Sequence, residues 1–362
     1  MTPEEQRHIE VVQALSTAGG PLDKDGPHAT TRNPAWYRSN GSRRAVRRAT
    51  HERIKAAVVS QSPNAKDEGR ALVLAGPPGA GKGRVADTVL GADRDHYVNI
   101  DADEFKKLLL REAMADGSYE EWIKPPEVRD LEAQGERFYP LELASLVHEE
   151  SSMLARALRT EMIDQGTNII VDTVLSDPDK AVELGAYLAD AGYQVTVVDV
   201  EVPFEVSQDR IVQRWQHAMQ EAEAGKADAL GGRWVPSAYA RPLFDTEHGR
   251  SKSQDAAAQL AQSCPRVIRY ERHYTSTEEH RASLVEGREA QPTREVAQVR
   301  SKPGGKLEAE QSVSRLSAAS FSTDRSAPRN ADAQVKRPGS RSGQVPWSGC
   351  SYCCQAVSGG LS

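Results

Sequence analysis

The segment Gly76-Pro77-Pro78-Gly79-Ala80-Gly81-Lys82-Gly83-Arg84 follows the apolar run Ala71–Ala75 and leads into a helical pattern from Val85 to Leu90. Its glycines let the backbone turn tightly with N–H groups inward, while Lys82 and a helix N-terminus add positive charge. Together they suit the phosphates of a nucleoside triphosphate. Gly76 to Arg84 are therefore the candidate ATP-binding residues. Position 83, where a Ser or Thr hydroxyl commonly reaches Mg2+, is glycine. Mg2+ must then be held mainly by nucleotide oxygens, water and a carboxylate from another element, which suits an ion that keeps several waters.

Two acidic segments sit where such carboxylates are needed. Asn99-Ile100-Asp101-Ala102-Asp103 closes a short apolar run and opens a helix, and Asn168–Val171 delivers Asp172 and Thr173. In an open parallel sheet these carboxyl ends face the ligand crevice. Asp101 and Asp103 can serve as a helix cap and a first-turn acid. Alternatively, one of them orients an acceptor hydroxyl and takes its proton during attack on the γ-phosphate. Asp172 can cap the next helix, or with Thr173 bind Mg2+, its waters or a substrate hydroxyl. Glu150 and Ser152, within His148–Ser152, are candidates for the acceptor pocket, with a polar helix face as the alternative. Arg210 and Arg214 lie four apart on a helix, and Arg233 lies in a Gly-rich segment expected to be mobile. Such arginines can surround a transferring phosphoryl group and exclude water.

The elements that must place these residues follow an α/β pattern. Apolar runs at Ala71–Ala75, Tyr97–Ile100, Asn168–Val171, Gln194–Val200 and Val267–Tyr270 read as parallel strands, with amphipathic helices between them. Among the helices are a long one through Leu141–Gln165, ended by Gly166, and another through Val206–Ala222. A short helix is expected before Gly19-Gly20-Pro21. The basic stretch between Arg38 and Lys55 reads as a helix with a solvated face rather than a nucleic-acid or partner patch, since aromatic residues are scarce around it. The expected organisation is a helical N-terminal extension (1–66), a P-loop nucleotide-binding domain with a three-layer sandwich around a mainly parallel sheet (67–275), and a polar, largely disordered tail (276–362).

Composition narrows the function classes. The 362 residues are 38% hydrophobic and carry a net charge of −6, which argues against a protein that coats nucleic acid. Beyond Gln291 the chain holds ten Lys+Arg against five Asp+Glu, so the charge is uneven. No run approaches the roughly 20 apolar residues that span a bilayer, and the start lacks a secretory pattern, so a cytoplasmic protein is expected. Of four cysteines, Cys264 stands alone and Cys350, Cys353 and Cys354 crowd the end. They imply no disulfide framework and too few ligands for a closed zinc site, leaving a solvated thiol-bearing tail.

The ordered set of parts, GPPGAGK ending at Lys82, then Ile100-Asp101-Ala102-Asp103-Glu104-Phe105-Lys106, the strand ending at Asp172, Arg214-Trp215 and Gly232-Arg233-Trp234-Val235-Pro236, resembles the zeta-toxin family of P-loop kinases. These are toxins of bacterial toxin–antitoxin pairs, and the likeness covers about Ile54 to Tyr270. The resemblance implies ATP-dependent phosphorylation of the 3′-hydroxyl on the amino sugar of UDP-N-acetylglucosamine, blocking cell-wall synthesis, with an antitoxin as partner. It makes Lys82 the ligand of the β/γ-phosphates and Asp103 the base. Arg214 and Arg233 would neutralise the phosphoryl charge, and Asp172 and Thr173 would line the acceptor or metal site. Two departures stand out: Gly83, and the sequence Asp172-Thr173-Val174-Leu175-Ser176 without the glycine–threonine pair of some members. The alternatives are a P-loop kinase for another hydroxyl, such as an antibiotic, nucleotide or polynucleotide end, and a nucleotide-binding module without transferase activity.

Overall fold

The five apolar runs become strands because they are short, bounded by turn residues and mostly rich in Val and Ile, which suits a strand buried on both faces better than a helix of that length. The strands are β1 Arg70–Ala75, β2 Val98–Asp101, β3 Ile169–Asp172, β4 Gln194–Glu201, β5 Val267–Tyr274, β6 Thr293–Val299 and β7 Glu308–Ala309. They belong to a computed structural model that describes residues 2–235 and 237–310. The strands form one sheet in the order β2-β3-β1-β4-β5-β6-β7. The first five are parallel, and β6 and β7 add antiparallel at one edge. The expected α/β architecture with a mainly parallel sheet is what the chain adopts.

Parallel neighbours require long crossovers, which the helices supply. In chain order these are α1 Pro3–Leu15, α2 Ala45–Ser60, α3 Lys82–Leu90, α4 Ala102–Asp116, α5 Pro126–Ala133, α6 His148–Gln165, α7 Pro178–Asp190, α8 Phe204–Glu223, α9 Ser237–Ala240, α10 Lys252–Ser263 and α11 Thr277–Glu286. Strand alternation divides the core in two. Val73, Ile100, Val171 and Val197 join the larger cluster with α4, α6 and α10, whereas Leu72, Leu74, Ile170 and Val198 meet Val85 and Ala86 of α3 on the opposite face. The chain crosses from β1 outward to β2, and from β3 past β1 to β4, so the strand order reverses beside β1. That reversal opens a crevice at the carboxyl ends of β1, β2 and β3.

Three local expectations need correction. The long helix begins at His148 rather than Leu141, because Pro140–Val147 forms a 3-10 stretch in which Glu142 caps the Tyr139 N–H at 2.9 Å. The basic run of α2 is not simply a solvated face. Arg47 is buried, Arg44 donates to the Pro34 carbonyl, and Arg53 meets Glu112. The polar stretch from residue 276 carries α11, β6 and β7. Its strands lack an apolar alternation because the edge is held by the backbone ladder and by ion pairs, including Arg272–Glu295 at 3.2 Å and Arg294–Glu271 at 3.1 Å. Cys350, Cys353 and Cys354 lie outside the described residues, and Cys264 is buried as a free thiol. Among the described residues no helix is long and apolar enough to cross a membrane.

Candidate active site

The phosphate loop is shaped by what lies under it. Gly76 has φ of 147°, and a Cβ there would collide with the Val200 carbonyl of β4, so only glycine lets β1 turn so close to its neighbour. The far side is tied to α8: Ser207 Oγ donates to the Pro78 carbonyl at 2.8 Å, and Arg210 Nη1 to that of Ala80 at 3.0 Å. Arg210, considered above for the γ-phosphate, thus braces the loop. Lys82 opens α3 and folds back, with Nζ 3.0 Å from the Gly76 carbonyl and 3.5 Å from Asp172 Oδ1. A polyphosphate would replace both contacts with stronger charge pairing. Arg84 is the loop residue whose side chain points elsewhere. Its guanidinium meets Glu289 at 2.7 Å and lines a cavity of about 600 Å³ between α3, β5 and β6, away from the carboxylates.

The acids converge as the strand ends predict. Asp101 and Asp172 are paired neighbours at the ends of β2 and β3. Asp101 caps α4, accepting the Asp103 N–H at 2.9 Å, so its capping role is real. Its carboxyl is pushed up to about 6 by burial and then by the charges of Asp103 and Asp172. Asp103, in the first turn of α4, behaves oppositely. Burial works to raise it, but Arg233, Lys106 and Arg214 outweigh that and hold it well below the usual carboxylate range. Arg233 pairs with Asp103 Oδ2 and Lys106 with Oδ1 at 3.0 Å. Lys106 is a site residue that the sequence reading passed over, although its spacing of three from Asp103 on one helix face is the signal for it. It is buried, and burial, then the Arg233 charge, bring its ammonium down to about 8.

Arg233 owes its place to packing. A Cβ on Gly232 would strike the backbone and ring of Trp215, while Trp234 packs edge-on to Trp215 with centroids 6.1 Å apart. The segment expected to be a mobile lid is therefore seated on α8. Arg214, one residue before Trp215, opens onto the same crevice, where the protein around it and then Arg233 lower its pKa. Thr173 is half-buried beside Asp172, and its Oγ1 accepts the Leu175 N–H at 3.2 Å.

Glu150 does not join this group. It is fully buried, and its oxygens are taken by Tyr37 at 2.8 Å and by Arg47 and His51 at 2.6 Å each. An acceptor pocket cannot use a carboxylate so enclosed. Ser152 is half-buried on the same helix. His148 lies nearer the acids: burial, then the charges of Lys106 and Arg233, depress its imidazole to about 3, so it is neutral at physiological pH.

The residues fit Mg2+ carried in on a nucleotide. Among the described residues no group of three or more His, Cys, Asp or Glu side chains forms a ready metal cage. One or two carboxylates beside a nucleotide's phosphates suffice for Mg2+ when phosphate and water complete its shell. Asp172, the strand neighbour of Asp101 and 3.5 Å from Lys82, could supply such a ligand.

A family model described as Zeta toxin matches residues 55–284. No curated protein matches the chain. Among solved structures, the native AvrRxo1-ORF1:ORF2 complex is similar at 18% identity and a TM-score of 0.51, covering 82% of this chain and 76% of that one. The same complex with ATP gives 17% identity and a TM-score of 0.50, covering 75% and 72%. The PezAT toxin–antitoxin system of Streptococcus pneumoniae gives 14% identity and a TM-score of 0.40, covering 62% and 76%.

Proposed function

The chain belongs to the zeta toxin family and has its kinase fold, and from that premise we propose that it transfers the γ-phosphoryl group of ATP to a sugar hydroxyl, with the 3′-hydroxyl of the amino sugar in UDP-N-acetylglucosamine as the preferred acceptor. The observation that carries the reading is one crevice in which Lys82, Asp172, Asp103 and Arg233 meet at the ends of β1 and β3 and the start of α4. A phosphate loop alone would serve any nucleotide-binding protein. A loop faced by an acid–arginine pair serves group transfer.

In this reading the loop N–H groups and Lys82 hold the β- and γ-phosphates. Asp103 is ionised before the acceptor enters, so it accepts a hydrogen bond from the acceptor hydroxyl and aligns it for attack; as the new O–P bond forms and ADP departs, Asp103, relieved of part of the Arg233 charge, takes the hydroxyl proton. Arg233 leaves Asp103 for the phosphoryl oxygens as the acceptor enters, and Arg214 approaches from α8. When bound, Mg2+ neutralises the β/γ-phosphate charge, and Asp172 would hold it there. The AvrRxo1-ORF1:ORF2 complex with ATP supports the nucleotide, and the ORF1:ORF2 pairing supports a protein partner, which membership of the zeta toxin family would make an antitoxin. The residues of this chemistry fall within 67–275, between the N-terminal extension (1–66) and the polar segment (276–362).

Phosphorus NMR of the protein with ATP, Mg2+ and UDP-N-acetylglucosamine tests the proposal. A new phosphomonoester signal lost in Lys82→Ala and Asp103→Asn is expected. Transfer to another hydroxyl instead would replace the acceptor, and ATP binding with no transfer to any acceptor would leave a nucleotide-binding module.

A further inference from the structure

The enclosed carboxylate of Glu150 has a purpose that its burial points to. All of its hydrogen-bond donors described above come from residues 37–51, ahead of the family match that begins at residue 55. Arg47 binds both carboxylate oxygens, Nε to Oε1 and Nη2 to Oε2, and its guanidinium lies 3.9 Å over the Trp36 ring. His51 is fixed in one tautomer: Arg43 donates to Nδ1 at 2.6 Å, so Nε2 carries the proton given to Glu150. Two further contacts from the same N-terminal segment hold the surroundings. Lys24 meets Glu149 at 3.1 Å, and Ser145 donates to the Leu22 carbonyl at 2.7 Å.

These contacts converge on the first turn of α6 and on the 3-10 stretch that leads into it. That turn begins with His148, and α6 packs on α4, the helix that carries Asp103 and Lys106. We propose that residues 20–51 clamp the first turn of α6 through Glu150, and that Glu150, Arg47, His51 and Tyr37 are positioning residues for the Asp103 end of the crevice, where the proposed acceptor hydroxyl would sit, by seating α6 against α4. An ion pair with this many donors keeps one geometry, whereas an apolar contact would let the turn slide. None of the four touches a reacting atom. The N-terminal segment is thereby part of the catalytic unit. The positioning role rests on the kinase reading; the clamp itself does not.

Two measurements on the full chain keep those parts separate. The first is hydrogen exchange at the amides of residues 148–152 without nucleotide. Arg47→Lys, which loses the two-oxygen grip, should exchange there at least tenfold faster than wild type, and Tyr37→Phe more mildly so. Unchanged exchange in both overturns the clamp whatever the acceptor. The second is steady-state transfer from Mg2+-ATP to UDP-N-acetylglucosamine, in which Tyr37→Phe and Arg47→Lys should raise KM for the acceptor several-fold and leave KM for ATP within twofold. Equal losses for both substrates, or fewer active molecules with unchanged KM, overturn the positioning role. Absence of transfer by the wild type counts against the kinase reading, and the exchange data then decide the clamp.

Discussion

Asp101 and Asp103 stand two residues apart and are driven in opposite directions, the first up by burial and neighbouring carboxylates, the second down by Arg233, Lys106 and Arg214. Groups separated in this way divide their work. Asp103 is the acid whose removal should be felt in turnover. Asp103→Asn keeps the size and should lower kcat by about 10²-fold or more, while ATP affinity changes less than threefold. An equal loss of ATP binding in calorimetry would show Asp103 to be structural. Gly83 yields a second prediction. It sits in the first turn of α3 with nothing near the position of a Cβ, so Gly83→Ser adds a hydroxyl without strain. The variant should reach half its maximal rate at a several-fold lower Mg2+ concentration; an unchanged or higher requirement would mean that this position does not face the ion.

At the scale of elements, β4 holds a feature unconnected to its role beneath the phosphate loop. Asp199 and Glu201 face the same side, both fully buried, and are close enough for their carboxyl groups to interact; among the described residues no other group hydrogen-bonds the Asp199 oxygens, while Glu201 accepts the Ser251 N–H at 2.8 Å and the Ser251 hydroxyl at 2.5 Å. Burial and then the Glu201 charge raise Asp199 well above the usual carboxylate range, and burial raises Glu201. A carboxyl raised on folding contributes stability below its unfolded pKa and loses it as pH climbs through the folded value. Asp199→Asn should therefore be more stable than wild type at pH 8, by roughly 1–3 kcal/mol, because there the native acid must either keep a proton the unfolded chain has released or stand as a poorly paired buried charge. At pH 4 the advantage should vanish. Denaturant unfolding at the two pH values checks this, and a variant weaker at both would mean that Asp199 makes a contact worth more than its charge costs. The sequence showed β4 but not this pair, whose meaning depends on Ser251, fifty residues away. The same division runs through the site. The phosphate loop, Asp101, Asp103 and Asp172 were legible because local patterning alone puts them at strand ends or in the helix turn that follows. Glu150 was misread because its partners lie about a hundred residues upstream, and β6 was missed because an edge strand held by arginine–glutamate pairs has no apolar period.

For the whole molecule, the question is whether the N-terminal helices are an appendage or part of the fold. Residues Met1–Gln311 form one compact unit, and Val12, Leu22, Ile54 and Val58 are buried in the same cluster as Val73, Ile100 and Val171 of the sheet. Polar contacts repeat the pattern. His8 lies 2.8 Å from Glu136 through one ring nitrogen and 2.8 Å from Glu142 through the other, and Glu142 also accepts from Trp215, whose backbone seats the Arg233 segment. Burial opposes protonation of His8, yet the two glutamates prevail and raise its pKa. Its contribution to stability is accordingly complete below the unfolded value near 6.5 and declines as pH rises through the folded one. Removing the first 44 residues would strip Val12 and Leu22 from the core and leave Glu150 without Tyr37, while Arg47 and His51 would stand on a shortened lead-in. Loss of two buried large side chains costs about 4–10 kcal/mol, comparable to the whole stability of a domain. The shortened chain should therefore be insoluble or lack a cooperative melt, and the intact chain should show one calorimetric transition for residues of the extension and the sheet together. A shortened chain that melts at the wild-type temperature, or an intact one with a separate early transition confined to α1 and α2, would return the extension to the status of an appendage and remove the basis for a clamp on α6.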